Sequence, residues 1–200
     1  MLHMVKGCNP PFPEKLVESY EMHNGVITAN LHAEKIEPFF LHFLALHTGE
    51  PLFFALELPA NIKDEAVTKE GRVDCFHNDL YLIDVCDGET AVSILDDYGE
   101  LLLNDGVSRF GFGAPRRREE MLLDKYNILR IFSPTPENYS DFFASHGVPR
   151  VGRLYTAWDS ISEDSPGRCE RYETGGITVF SLPSLLRDRG IFFAGKQEEE

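Results

Sequence analysis

The residues of this chain best suited by type to bind a ligand are arginines in a glycine-bearing stretch. Ser108, Arg109, Phe110, Gly111, Phe112, Gly113, Ala114 and Pro115 run directly into Arg116, Arg117 and Arg118. Glycine lets the backbone approach a ligand closely, and the guanidinium fork donates paired hydrogen bonds to phosphate or carboxylate. Arg109, Arg116, Arg117 and Arg118 therefore make a candidate anion site. The stretch is no P-loop, because no Lys-Ser or Lys-Thr follows a properly spaced glycine pair, and it lacks the GxGxxG that opens a dinucleotide-binding helix. The plainer reading is a strand in which Phe110 and Phe112 alternate with glycines that make room for a helix. Arg116, Arg117 and Arg118 would then be a solvated loop neutralised by Glu119 and Glu120.

Metal ligands and nucleophiles are weaker candidates. Cys75, His77 and Asp79 alternate and would share one face of a strand, but three ligands fall short of structural zinc and His-Asn-Asp is turn chemistry. His42 and His47 are off the four-residue step of paired helical ligands. With His32 they would have to meet through the fold, and spacing names no carboxylate to orient any of them as a base. Ser160, Ser162 and Ser165 sit in no nucleophile elbow. Cys169, beside Glu170 and with no activating cation apparent, reads as structural. No catalytic residue, metal or cofactor is assigned, and a binding protein is a better reading than an enzyme.

Charge is the most informative compositional feature. The 200 residues carry a formal charge of -14 at 42% hydrophobic content, which suits a packed, acidic globular chain and disfavours direct nucleic-acid binding through overall charge. The acidity belongs to residues 1–100, which contain 18 Asp plus Glu against five Lys and Arg72; eleven of the twelve arginines follow residue 100. Pairing within the fold would consume some of these charges. The remainder makes an acidic docking face over the exposed carboxylates of residues 57–97, Asp96 and Asp97 among them. Trp158, the only tryptophan, lies beside Asp159 at the mouth of a serine-rich loop and is a candidate anchor for the partner. The first eight residues lack the apolar core of a signal peptide, no apolar run approaches the ~20 residues of a membrane span, and four cysteines without a CxxC pair suit a reducing cytoplasm.

The elements that must position these groups follow from periodicity. Pro10, Pro11 and Pro13 mark an extended arm, and Leu16, Val17 and Tyr20 have helical spacing over residues 14–22, with Asn24-Gly25 as the stop. A strand is expected over residues 25–31. A helix follows over residues 32–47, with Pro38 close to its regular start, and an apolar strand, LFFALEL, over residues 52–58. Residues 60–72 show no period and read as a loop. Residues 79–86 read as strand, 89–103 as helix, 107–113 and 126–132 as strands, and a helix opens at Pro136 and closes at His146-Gly147. Residues 151–158 read as strand, 168–172 and 177–180 as a hairpin, 183–189 as helix and 191–194 as a last strand.

This order predicts an α+β protein of repeated βαβ units, forming either one mixed sheet or two ferredoxin-like halves with helices on the sheet faces. The divisions are an arm with a short helix over residues 1–24, α/β units over residues 25–113 and 126–194, which one continuous domain could also contain, and a disordered tail over residues 195–200. The expected function is an acidic cytoplasmic protein-binding module, an inhibitor or immunity-type protein for a basic partner such as a nuclease toxin. The alternative is a small-molecule enzyme or ligand-binding protein with the arginine-lined anion site.

Overall fold

The computed structural model describes residues 1–60 and 77–198. A two-residue strand β1 (Cys8–Asn9) precedes β2 (Ser19–His23), β3 (Val26–Asn30), helix α1 (Ala33–Leu46), β4 (Leu52–Pro59), β5 (His77–Cys86) and helix α2 (Gly88–Asn104). A meander of β6 (Arg109–Ala114), β7 (Glu119–Asp124) and β8 (Ile128–Phe132) follows. The last third holds α3 (Ser140–Ser145), β9 (Arg168–Cys169), β10 (Glu173–Thr174), β11 (Ile177–Thr178), the short α4 (Leu182–Leu185) and β12 (Phe192–Glu198).

The fold is α+β, built on one eight-stranded sheet in the order β12-β5-β4-β6-β7-β8-β3-β2, antiparallel at every neighbour. Strands from residues 25–113 and from 126–194 interleave in it. The strand-helix-strand spacing survives in two crossovers, β3-α1-β4 and β5-α2-β6. Each joins strands that run the same way but have others between them. The two helices pack against each other on one face. Phe110 and Phe112 of β6 point to that face, and Phe40 of α1 stacks on Phe110 with ring centres 4.8 Å apart. Ile36, Phe39, Phe43, Phe54 and Leu56 join them with no exposed surface, each contributing about 1.5–3 kcal/mol of burial.

Where the structure departs from expectation, specific bonds decide. The helix expected over residues 14–22 is reduced to a single 3-10 turn, Pro13–Lys15: Asn24 (φ 50°) and Gly25 (φ 81°) make the tight turn of the β2-β3 hairpin, and Tyr20 and Met22 pack inward with a period of two. Pro38 lies inside α1 rather than at its start. The cost of about 3 kcal/mol is outweighed by burying Ile36, Phe39 and Phe40 on either side of it, and the arm anchors the first turn through Ala33 N–H donating to His3 O at 2.9 Å. β7, for which the periodicity predicts no element, is a central strand. Residues 151–158 are not a strand: the chain makes one parallel bridge to β2, Tyr20 N–H to Pro149 O and Val151 N–H to Tyr20 O, and then leaves it, Leu154 N–H donating to the Glu21 carboxylate instead of a backbone carbonyl. Residues 195–198, expected as tail, continue β12 along β5 as far as Glu198 opposite His77. The expected loop lies outside the described residues from 61 onward. Among the described residues, no helix is long and apolar enough to cross a membrane.

Candidate functional site

Helix α2 carries Glu89, Asp96, Asp97 and Glu100 and not one lysine or arginine in 17 residues. Its inner stripe, Ala91, Ile94, Leu95, Leu101 and Leu102, is buried, which turns Asp96 and Asp97 to solvent. Asp87 caps the helix by accepting from Thr90 N–H at 2.8 Å, and that bond holds its carboxyl below the ordinary range and charged. Between this end of α2 and the last turn of α1 lies a groove of about 1300 Å³. Leu41, Leu44, Ala45 and Val92 supply apolar surface to it, and Glu50, Asp87, Glu89, Asp96 and Asp188 supply carboxylates. Among the described residues Arg189 is the one lysine or arginine in the lining, and its guanidinium is bound to Asp97. Asp96 also borders a smaller groove of about 520 Å³ lined by Glu34, Glu37 and Glu100, so the acidic surface continues along the helix pair.

The four arginines of the expected anion site do not assemble. Arg109 begins β6 and Arg116, Arg117 and Arg118 form the turn beyond its other end, about 17–20 Å away along the strand. Arg109 is engaged by Asp124 (Nε to Oδ1, 2.7 Å) and Glu57 (Nη1 to Oε2, 3.6 Å), and Arg130 approaches Asp124 at 3.2 Å. Burial pushes the Glu57 carboxyl up, and Arg109 opposes that shift. Arg117 donates to Glu50 at 2.8 Å, while Arg116 and Arg118 point to solvent. The physical reason is that opposite charges on neighbouring strands pair locally before they can converge on a ligand. Gly111 and Gly113 face away from the helices: a side chain at Gly113 would overlap the Phe53 ring, so this glycine admits a phenylalanine rather than a helix.

Trp158 packs edge-on against Tyr126 at 5.1 Å and remains 41% exposed, and Asp159 closes its own turn by accepting from Thr156 N–H and Oγ1. Neither lines the groove that Asp96 borders. The three histidines weighed together go to three places. His32 Nδ1 accepts the His3 backbone N–H, His42 stacks on Phe142 at 3.8 Å, and His47 Nε2 stands 2.9 Å from Glu119 Oε2. Burial, and then the charge of His146, lower the affinity of His42 for a proton.

Two arrangements were not legible from spacing. His47, Glu119, Tyr139 and Ser133 converge in the interior: Tyr139 Oη donates to Glu119 Oε2 at 2.8 Å and Ser133 Oγ to Oε1 at 2.6 Å. His47 and Tyr139 are both enclosed, so this network fastens β7 to α1 rather than meeting a substrate. His3, His32 and Glu34 bring ligand atoms within 4.8 Å of one another. However, His32 Nδ1 uses its lone pair on the His3 amide, which leaves the proton on Nε2, and His3 Nδ1 is engaged by Glu34 at 3.0 Å. Of the alternating trio, His77 and Asp79 open β5 opposite Glu198 and Lys196, and Cys75 lies outside the described residues. Compared with models of protein families, with curated proteins and with solved structures, the chain matches none.

Proposed function

We propose that the protein is an acidic binding module that docks its helix layer on a basic, amphipathic segment of a protein partner. It would act in the cytoplasm as an inhibitor or immunity-type protein does against a basic target such as a nuclease. The observation that carries this reading is the charge of α2 and its groove: among the described residues five carboxylates, of which Arg117 engages only Glu50, surround apolar side chains, and the one lining arginine is already paired. Carboxylates on one surface draw a cationic partner over long range and raise the rate of encounter, while the leucines give its apolar residues somewhere to bury. Trp158, half in contact with Tyr126 and half in solvent, would serve a second, separate contact.

The test uses an amphipathic lysine-leucine helix as probe, with association measured by surface-bound kinetics at low and high salt. Wild type should associate about tenfold faster at low salt, and a chain carrying both Glu89→Lys and Asp96→Lys should lose that advantage. Both positions are exposed, so the substitutions spare the core. Association that ignores salt, or that survives the charge reversal, overturns the reading.

A further inference from the structure

Cys8 and Cys169 come from opposite ends of the chain and stand directly across from each other in the antiparallel pair β1-β9, with Asn9 opposite Arg168 as the next pair. The backbone fixes which kind of pair they are. Glu170 N–H donates to Gly7 O at 2.8 Å, whereas Cys8 N–H turns away to Val5 O at 3.1 Å. The bonded position is therefore Gly7 with Glu170, and the cysteines hold the adjacent position without ladder bonds. Opposed residues there have Cα atoms about 4.5 Å apart, inside the range of about 4.4–6.8 Å that a disulfide bridges. The site is held in register by close packing. Gly7 and Gly106 meet backbone to backbone with no room for a side chain on either, and Gly106 N–H donates to Glu170 O at 3.0 Å. Both cysteines are free thiols; Cys8 is buried and Cys169 half-buried, so solvent reaches the second sulfur first.

We propose that Cys8 and Cys169 form a thiol-disulfide redox site, with Cys169 as the sulfur that attacks a peroxide and Cys8 as the thiol that resolves it. The surroundings divide these roles. Cys169 is the more exposed of the two sulfurs, and the neighbouring Cys8 and Tyr126 side chains with the Lys125 ammonium lower its thiol against burial. The Cys169 sulfur beside it and burial push the Cys8 thiol up, although Tyr126 N–H donates to its sulfur at 3.2 Å. In the first step the Cys169 thiolate attacks one oxygen of hydrogen peroxide. An S–O bond forms, the O–O bond breaks, and the leaving hydroxide takes a proton to become water. In the second, the Cys8 sulfur attacks the sulfenic sulfur: the S–S bond forms, the S–O bond breaks, and the hydroxyl leaves with the Cys8 proton as a second water. Two thiols lose two electrons and the peroxide gains them. A dithiol reductant reverses the bond by exchange. The bridge would tie the N-terminal arm, which buries Leu2 and Val5 in the core, to the last third of the chain.

The experiment is peroxide treatment of the full-length protein, alkylation of the remaining thiols, digestion without reductant and mass spectrometry. The expected result is a Cys8 peptide joined to a Cys169 peptide, with Cys75 and Cys86 alkylated. The melting temperature should rise and return to its starting value with dithiothreitol. Conversion of Cys169 to sulfinic acid while Cys8 stays alkylatable, or a cross-link that recruits Cys75 or Cys86, overturns the proposal. In Cys8→Ser, Cys169 should accumulate as a sulfenic acid that dimedone traps, and its absence counts against the assigned roles. Should that buried substitution prevent folding, Cys169→Ser provides the converse, since Cys8 alone should then resist peroxide.

Discussion

His47 Nε2 stands 2.9 Å from Glu119 Oε2, with both side chains almost wholly enclosed. The contact is close, although its geometry falls short of a hydrogen bond. The same carboxylate accepts from Tyr139 and Ser133, so one side chain on β7 holds groups from the end of α1, from β8's exit and from the turn before α3. Removing it leaves the Tyr139 and Ser133 hydroxyl protons without their acceptor and His47 without the carboxylate beside it. Glu119→Ala should therefore cost about 3 kcal/mol or more, and Glu119→Gln, which keeps an acceptor, less than half of that. Urea unfolding of the two variants measures this; equal losses would mean that the cavity, and not the network, sets the cost.

Tyr139 gives the network a pH signature. Burial first, and then its bond to Glu119, push the phenol above its ordinary value. A tyrosine in the unfolded chain loses its proton near pH about 10, while the folded protein still holds it. The stabilisation is thus fully present below that pH and is lost as pH rises through the alkaline range. Tyr139→Phe should be less stable by about 1 kcal/mol at neutral pH, and its stability should fall less steeply above pH about 10. Urea midpoints collected across that range test it, and parallel curves for the two proteins would exclude Tyr139 as a source of the alkaline loss.

What could be read ahead of the structure was whatever short-range pattern dictates. The β3, β4 and α2 segments follow from apolar runs and from a stripe at helical spacing, and the acids of α2 are plain in the chain itself. Asn24-Gly25 was ambiguous because the same pair that stops a helix also turns a hairpin, and only packing of Tyr20 against Phe143 at 4.1 Å selects the second. β7 was hidden because Glu119, Glu120 and Asp124 make its six residues look like loop. Glu119 faces the interior network and Asp124 binds Arg109 and Arg130, contacts made only once the strands have paired. For the same reason the arginines looked convergent in one dimension and are separated in three. The placing of Cys8 opposite Cys169 depends on strand pairing that no local signal encodes.

Gly111 and Gly113 differ in what stands above them, and that difference can be measured. A methyl group on Gly111 would meet the Met121 carbonyl oxygen and the Leu122 backbone, which cannot withdraw without breaking the β6-β7 ladder. On Gly113 it would meet the Phe53 ring, a half-buried side chain that can swing aside. Gly111→Ala should cost about 2–3 kcal/mol and Gly113→Ala about 1 kcal/mol. Thermal unfolding of both variants reads the order, and a costlier Gly113→Ala would show that Phe53 is pinned.

Arg189 offers a test of the acidic groove that adds no negative residue and removes no carboxylate. Its guanidinium is bound to Asp97 and lies 5.7 Å from the centre of the Tyr98 ring, so it neutralises one acid of α2 beside the groove it lines. Substitution by glutamine keeps much of the stem and deletes only the charge. If the groove recruits a cationic segment through its field, Arg189→Gln should raise the association rate of the lysine-leucine probe by about two- to threefold at low salt and leave it nearly unchanged at high salt. A gain is an uncommon result for a substitution at a binding surface, since losing a contact slows or weakens binding. A rate that falls would therefore place Arg189 among the contacts and argue for an occupant that carries acids of its own.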